Sequence, residues 1–394
     1  MHGSLSASKS TKLPIKNEMT SFRFEILHTS KKSSARVGRL YTPHGMIDTP
    51  NFVAVGTHGT IKSLDNEMVK QIGLQLMFCN TYHLILQPGI RTIQEAGGLH
   101  AFIHRDLPII TDSGGFQVFS LSYGSVTQEL KSKGMKKKEN DVLKINDQGV
   151  LFRSYRDGSK VWLTPESSVQ AQKAFGADII IPLDELPPYH LAADRLLASL
   201  ERTHDWEKRS LDTHLKEPNG QAMYGVIHGG IDRQLRKQSA CFLSKLPFNG
   251  FAIGGSLGKT KQEMLEMLSF TLPYLPEKAP NHLLGIADLD SLESCIPLGI
   301  DTFDSSYPTK AARHGSLLTQ KGVIKVTRGY YKNHFQPPDC TCSCLTCQHY
   351  TLAYLHHLFK AREATGMTLA SIHNLHFMVE FMKQKRKAIY ADLI

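Results

Sequence analysis

No run in this 394-residue chain approaches the roughly 18 consecutive apolar residues that a membrane-spanning helix needs, although 41% of its residues are hydrophobic. That excludes helical membrane spans and leaves enough apolar material for a large core, as one big domain or a domain with a small lobe. Acidic residues are in deficit, with 36 Asp and Glu against 46 Lys and Arg, a net charge of +10. Such a balance favours a polyanionic partner, because counterions released from a phosphate backbone drive binding. Arginine is absent before Arg23 and no apolar signal segment precedes the chain, which speaks against a transit peptide and against export. Residues 1–20, rich in Ser and Lys, are expected to form a disordered extension. Internal repeats are absent, and so is a Gly-rich dinucleotide-binding turn.

Cysteine is sparse except in one place. Cys79, Cys241 and Cys295 stand singly and read as thiols of a reducing cytoplasm. The other four crowd into Cys340-Thr-Cys342-Ser-Cys344-Leu-Thr-Cys347, followed 26 residues later by His373. Three thiolates and an imidazole make a closed tetrahedral zinc set, one that staples two segments and leaves no open catalytic position. The ligands are expected to be Cys342, Cys344, Cys347 and His373. Cys340 is an alternative to Cys342, and a disulfide knot is the competing reading of the cluster.

Several short apolar runs end abruptly in polar or glycine residues. Leu107-Pro-Ile-Ile leads into Asp112-Ser113-Gly114-Gly115, Asp178-Ile-Ile-Ile towards Asp184, and Met223-Tyr-Gly-Val-Ile into His228-Gly229-Gly230. Phe251-Ala-Ile leads into Gly254-Gly255, Leu283-Leu284 into Gly285, and Ile300-Asp-Thr-Phe into Asp304. Between them lie stretches of helical pattern, among them Pro165 to Phe175 and Leu191 to Ser210. Strand–helix alternation on this scale predicts an α/β fold, a (β/α)₈ barrel in preference to an open doubly wound sheet. The polar strand ends would then gather on the C-terminal rim, where barrel enzymes keep their chemistry.

Asp112, Asp184 and Asp304 each follow or end such a strand. Two carboxylates at one site can divide the work of nucleophile and proton carrier, although any single Asp there can equally cap the next helix. The paired glycines let a flat ligand approach the backbone, or simply make turns. Phe116 offers a stacking face or a core contact.

With these blocks assembled, the chain resembles the tRNA-guanine transglycosylases, also called queuine tRNA-ribosyltransferases, from about Phe22 to about Met382. The resemblance rests on Asn80-Thr-Tyr-His-Leu84, Thr111-Asp-Ser-Gly-Gly-Phe-Gln-Val-Phe-Ser120, Phe152-Arg-Ser154, Gly250-Phe-Ala-Ile-Gly-Gly255, Gly299-Ile-Asp-Thr-Phe-Asp304 and the cysteine set ending at Ile372-His-Asn374. It implies an irregular (β/α)₈ barrel over residues 21–394, with a zinc subdomain at about 330–380. The implied activity is exchange of the wobble guanine of tRNAs with a G-U-N anticodon for a 7-deazaguanine. Asp304 matches the nucleophile that forms a covalent tRNA intermediate, and Asp112 the general acid/base. Ser113, Asp184, His228, Gly254 and Gly255 match positions on the base's polar edge, with Phe116 and Leu284 on its two faces. Lys310 and Arg313 match a basic segment on the anticodon backbone. A homodimer and a cytoplasmic location come with the resemblance.

The chain departs from the family pattern at several positions, of which Ser305 is expected to matter little. His228 stands where Gln is common, Ser305 where Cys is common, and Leu186 where bacterial members carry Cys. In Gly254-Gly-Ser-Leu-Gly258-Lys-Thr260, Gly258 replaces a pocket-wall Val and the Glu that supports the preQ1 aminomethyl group is missing. Queuine is therefore expected to be favoured over preQ1 as the incoming base. The stretch from about Tyr123 to Lys144, with Lys131, Lys133, Lys136, Lys137 and Lys138, is longer than usual and is either an added tRNA contact or a longer loop. Two other classes compete: a catalytically silent, tRNA-binding partner subunit, against which the retention of Asp112 and Asp304 speaks, and a zinc-dependent barrel hydrolase, against which the clustering of all metal ligands at one end speaks.

Overall fold

The computed structural model describes residues 22–124 and 141–394, with residues 128, 131, 133 and 135 between them. The expected N-terminal extension and Lys136–Lys138 lie outside the described residues. Eight parallel strands close into a barrel: β4 (Asn51–Val55), β5 (Met77–Cys79), β6 (Ile109–Thr111), β10 (Ile179–Ile180), β11 (Ala222–Ile227), β12 (Gly250–Ile253), β13 (Asn281–Leu283) and β14 (Thr302–Ser305). The ring closes where β14 pairs with β4, Asp304 opposite Val53. All six apolar runs read from the sequence overlap barrel strands. The helix expected at Pro165 to Phe175 forms with those limits, opened by a capping box between Thr164 and Ser167 and ended by Gly176 in the left-handed region. The next helix runs Ala193–Leu215, later and longer than expected, because Ala192 offers no capping side chain and only the approach to Pro218 stops it.

Successive residues of a strand face opposite ways, and the barrel strands sort accordingly. Val53, Phe78, Ile110, Tyr224, Val226 and Ala252 fill the interior, while Phe52, Met77, Ile109, Phe251 and Leu283 pack under the outer helices. An antiparallel sheet of β1 (Arg23–Thr29), β2 (Arg36–Thr42) and β3 (Gly45–Thr49) plugs the N-terminal mouth with Leu40 and Ile47. At that end Arg36 makes a buried two-pronged pair with Asp301, Nε to Oδ1 at 3.0 Å and Nη2 to Oδ2 at 2.6 Å.

Nearby, His44 and His100 stack at 3.5 Å over fully buried Asp178, their nitrogens 2.8 and 3.2 Å from its two oxygens. The set is His₂Asp, but rings stacked within 11° of parallel hold their in-plane lone pairs side by side, so both cannot point at one cation. It is a carboxylate clamp. Burial alone would raise the Asp178 carboxyl, yet the imidazoles of His100, 3.2 Å away, and of hydrogen-bonded His44 outweigh it and hold the group well below the usual carboxylate range.

Between β6 and β10 the chain inserts the helix Gly115–Tyr123 and an antiparallel sheet of β7 (Val142–Asn146), β8 (Gly149–Arg153) and β9 (Lys160–Leu163). Val142, Val150, Phe152 and Leu163 seat this sheet against Tyr82, Leu183 and Trp206. After β14 come the helix Tyr307–Arg313, the hairpin of β15 (Ser316–Thr319) and β16 (Gly322–Lys325), a short 3₁₀ helix at Gly329–Asn333 and three α-helices. The last, Ala364–Tyr390, is about 40 Å long by its 27 residues. Its first turns pack in a satellite core with Leu317, Val326 and Leu355, and its later turns, through Leu375, Met378 and Met382, in the main barrel core. Among the described residues no helix is long and apolar enough to cross a membrane.

Candidate active site

The polar strand ends gather on one rim. β6 delivers Asp112, and Thr81 N–H and Asn80 Nδ2 hold its two oxygens at 2.8 and 2.6 Å. Burial pushes its carboxyl up to about 6, the dominant effect, and the nearby charge of Asp184 adds to it, against hydrogen bonds from Asn80, Thr81 and Gln117. A group so placed can hold or give a proton near neutral pH.

Asp184, four residues past β10, reaches back to the same rim. Its Oδ1 accepts from Ser113 Oγ at 2.8 Å and its Oδ2 faces His228 Nε2 at 3.0 Å. Gly115 makes this approach possible, because a methyl group there would lie 2.3 Å from the Asp184 carbonyl oxygen and 2.5 Å from its Oδ1. Gln172, fully buried, keeps the two loops in step by accepting from Thr111 Oγ1 and Ile181 N–H and donating to Ile181 O.

His228, at the end of β11, is 2% exposed; its Nδ1 has no partner among the described residues, and a Cβ at Gly255 would lie 3.0 Å from it. Gly254 backs onto Leu284, whose Cδ1 would be 3.2 Å from an added methyl. Phe116 is 49% exposed and leaves a ring face open beside Gly115. One residue that sequence reasoning missed holds the β11 and β12 loops together: Arg236, wholly buried, donates to the carbonyls of Gly230, Ile227 and Ser256. Burial lowers its guanidinium to about 9. Its only sequence signal was its place in the first turn of the helix after the glycine pair. Gly258 has φ +113°, and a Cβ there would meet Glu263 Cβ at 2.5 Å, so this position of the β12 loop takes no side chain.

Asp304 lies in β14, 6% exposed. Gly285 N–H donates to its Oδ1 at 2.7 Å and His282 Nε2 stands 3.2 Å from the same oxygen. Among the described residues Oδ2 accepts no hydrogen bond. Just beyond the strand, Lys310 is exposed and Arg313 half-buried on the helix Tyr307–Arg313.

Apart from this rim, Cys342, Cys344, Cys347 and His373 bring one ligand atom each into a group able to hold a metal ion. His373 Nδ1 lies 3.8, 3.5 and 3.2 Å from the three sulfurs, close to the edge of about 3.5 Å that a tetrahedral site with zinc bond lengths requires. Its Nε2 donates to Leu318 O at 2.7 Å, which leaves Nδ1 unprotonated for a metal. The C-x-x-C spacing works because Cys344 caps the short helix Leu345–His349, so Cys347 sits one turn along on the same side. Cys340 is exposed and outside the group.

The family model for queuine tRNA-ribosyltransferase matches residues 30–394. Proteins named queuine tRNA-ribosyltransferase resemble the chain closely along almost its whole length. One from Protochlamydia amoebophila is 66% identical over 95% of this chain and 97% of its own, and one from Chlamydia abortus is 57% identical over 94% and 99%. Another, from Chlamydia caviae, is 55% identical over the same shares. A barrel with carboxylates on its C-terminal rim, a Cys₃His cluster beyond it and this match over residues 30–394 agree: the chain belongs to the queuine tRNA-ribosyltransferase family.

Proposed function

We propose that the protein is a tRNA-guanine transglycosylase. It replaces the wobble guanine of tRNAs with a G-U-N anticodon by a 7-deazaguanine, through a covalent Asp304–tRNA intermediate. The observation that carries this reading is a pair of carboxylates in contrasting surroundings on one rim: Asp112, buried and lifted to about 6, and Asp304, with Oδ1 tied and Oδ2 free. Asp304 Oδ2 attacks C1′ of the nucleotide, the C1′–N9 bond breaks with its electron pair on guanine, and Asp112 supplies the proton that guanine takes away. The incoming base then loses its proton to Asp112 and attacks C1′, and the Asp304–C1′ bond breaks with its pair on the carboxylate. Each bond broken is matched by one formed, so the exchange draws on no ATP.

Asp184, Ser113, His228, Gly254 and Gly255 read the base's polar edge, Phe116 and Leu284 cover its faces, and Lys310 and Arg313 hold the anticodon phosphates. The incoming base is queuine in preference to preQ1, a reading supported by the side-chain-free Gly258. Cys342, Cys344, Cys347 and His373 hold zinc, a structural ion with no open position, in a subdomain at about 330–380. A cytoplasmic homodimer completes the proposal.

The test is uptake of radiolabelled guanine into a G-U-N tRNA, with queuine and preQ1 as competitors. Uptake blocked more strongly by queuine is the expected result. Stronger competition by preQ1 overturns the substrate choice, and no uptake at all favours a silent partner subunit.

Asp112→Asn is expected to slow exchange by roughly 10²–10⁴-fold. In the parent enzyme, kcat/KM for tRNA should fall as pH rises through about 6, since the first displacement needs the protonated acid. Stability changes with pH in the same direction as activity. A folded carboxyl raised above its ordinary value contributes stability that is present below that value and lost as pH rises through about 6. At pH 8 the Asn variant is therefore expected to be more stable, by up to about 3 kcal/mol. Chemical denaturation at pH 5 and pH 8 measures this, and an equal effect at both values contradicts it.

A further inference from the structure

His282 is a wholly buried imidazole in a barrel interior filled largely by apolar side chains, its ring stacked 6.0 Å from that of Phe78. Its strand register explains where it points. His282 in β13 pairs with Thr302 in β14, and Thr302 and Asp304, two residues apart, share one face of that strand. The ring therefore spans both: Nδ1 lies 2.8 Å from Thr302 Oγ1 and Nε2 3.2 Å from Asp304 Oδ1. An ionised carboxylate offers only acceptors, so the hydrogen sits on Nε2, and Nδ1 then accepts from the Thr302 hydroxyl.

We propose that His282, held in this tautomer by Thr302, is a positioning residue that stabilises the Asp304 carboxylate as the leaving group of the second displacement. This rests on the reading of Asp304 as the nucleophile. With Gly285 N–H and His282 both on Oδ1, the carboxylate presents Oδ2 to the anomeric carbon. When the Oδ2–C1′ bond forms, Oδ1 loses most of its negative charge, and the two hydrogen bonds weaken. When the incoming base attacks C1′ and that bond breaks, the electron pair returns to the carboxylate and the hydrogen bonds regain full strength. Donors that favour the free carboxylate over the ester keep the covalent intermediate short-lived. Removing one lengthens its life.

The test uses the full chain with a G-U-N tRNA and labelled guanine, comparing wild type, His282→Phe, His282→Gln, Thr302→Val and Asp304→Asn. His282→Phe keeps the ring volume and loses the donor. It is expected to accumulate a denaturation-resistant protein–tRNA complex and to release it on addition of guanine about 10–100-fold more slowly, the effect of one hydrogen bond to a charged group. The kcat/KM for tRNA should not fall, since it reports binding and the first displacement and a donor on Oδ1 has no part in tRNA binding, so KM drops together with kcat. His282→Gln, whose amide nitrogen can donate in the place of Nε2, is expected to restore most of the release rate. Thr302→Val, which keeps the imidazole but frees its tautomer, should lie between them and carries the test if His282→Phe fails to fold. Release as fast as wild type in a folded His282→Phe or, failing that, in Thr302→Val overturns the proposal. A covalent complex formed by Asp304→Asn overturns the nucleophile reading beneath it, which separates the two failures.

Discussion

Asp304→Asn is expected to abolish base exchange, a loss on the order of 10⁴-fold or more, with the fold and the tRNA affinity intact. The substitution is close to isosteric, and the amide oxygen can still accept from Gly285 N–H and His282 Nε2, the two partners that fix Oδ1. The amide nitrogen then replaces Oδ2, and it is no nucleophile towards an anomeric carbon. A loss of this size with an unchanged melting temperature and unchanged tRNA binding isolates the chemical step. Residual exchange above about 1% of wild type would mean that another group attacks the ribose.

The second large effect concerns the proposed metal ligands. Cys344→Ser, or prolonged chelation, is expected to unfold the C-terminal elements rather than merely silence the enzyme. Bound structural zinc is worth about 10–16 kcal/mol in small domains that fold around it. Here the cluster pins the Cys342–Cys347 loop to the helix Ala364–Tyr390, and Asn374, next to His373, binds Leu318 N–H and the carbonyls of Pro308 and Ser316. Loss of the metal should therefore loosen β15 and the helix that carries Lys310 and Arg313. Hydrogen exchange would show it as lost protection in residues 307–375, with the interior barrel strands unaffected. Cys340→Ser, at an exposed position, should retain one zinc per chain and full protection. Chelation that stops exchange but leaves that protection intact would contradict a structural role.

The rim was legible because most of the barrel strands carry short apolar runs, whose ends show up as abrupt switches to Asp, His or Gly. The Cys₃His cluster was legible from spacing, except for the choice between Cys340 and Cys342, which the fold makes by leaving Cys340 exposed. What escaped were contacts that depend on register between distant segments. β4 and β5 were not foreseen: Asn51–Val55 follows the β2–β3 hairpin directly and reads as its continuation, and β5 is only three residues long. Asn80 and Thr81 belonged to a recognised block, yet only the fold shows that they clamp Asp112, some thirty residues away. His282 between Asn281 and Leu283 looks in sequence like any core histidine, and its meaning comes from β14 lying alongside. Gly115 was read as a turn or an approach for a ligand; the group that approaches it is the chain's own Asp184.

The pairing of β14 with β4 joins segments about 250 residues apart. On a ribosome adding roughly 5–20 residues each second, β4 leaves the tunnel some 10–50 s before its partner exists. Throughout that interval the nascent chain exposes an unpaired, apolar strand edge, a template for wrong pairing with other chains. Asp304 lies on the strand that ends this exposure, so the proposed nucleophile is set in place in the same event that seals the barrel.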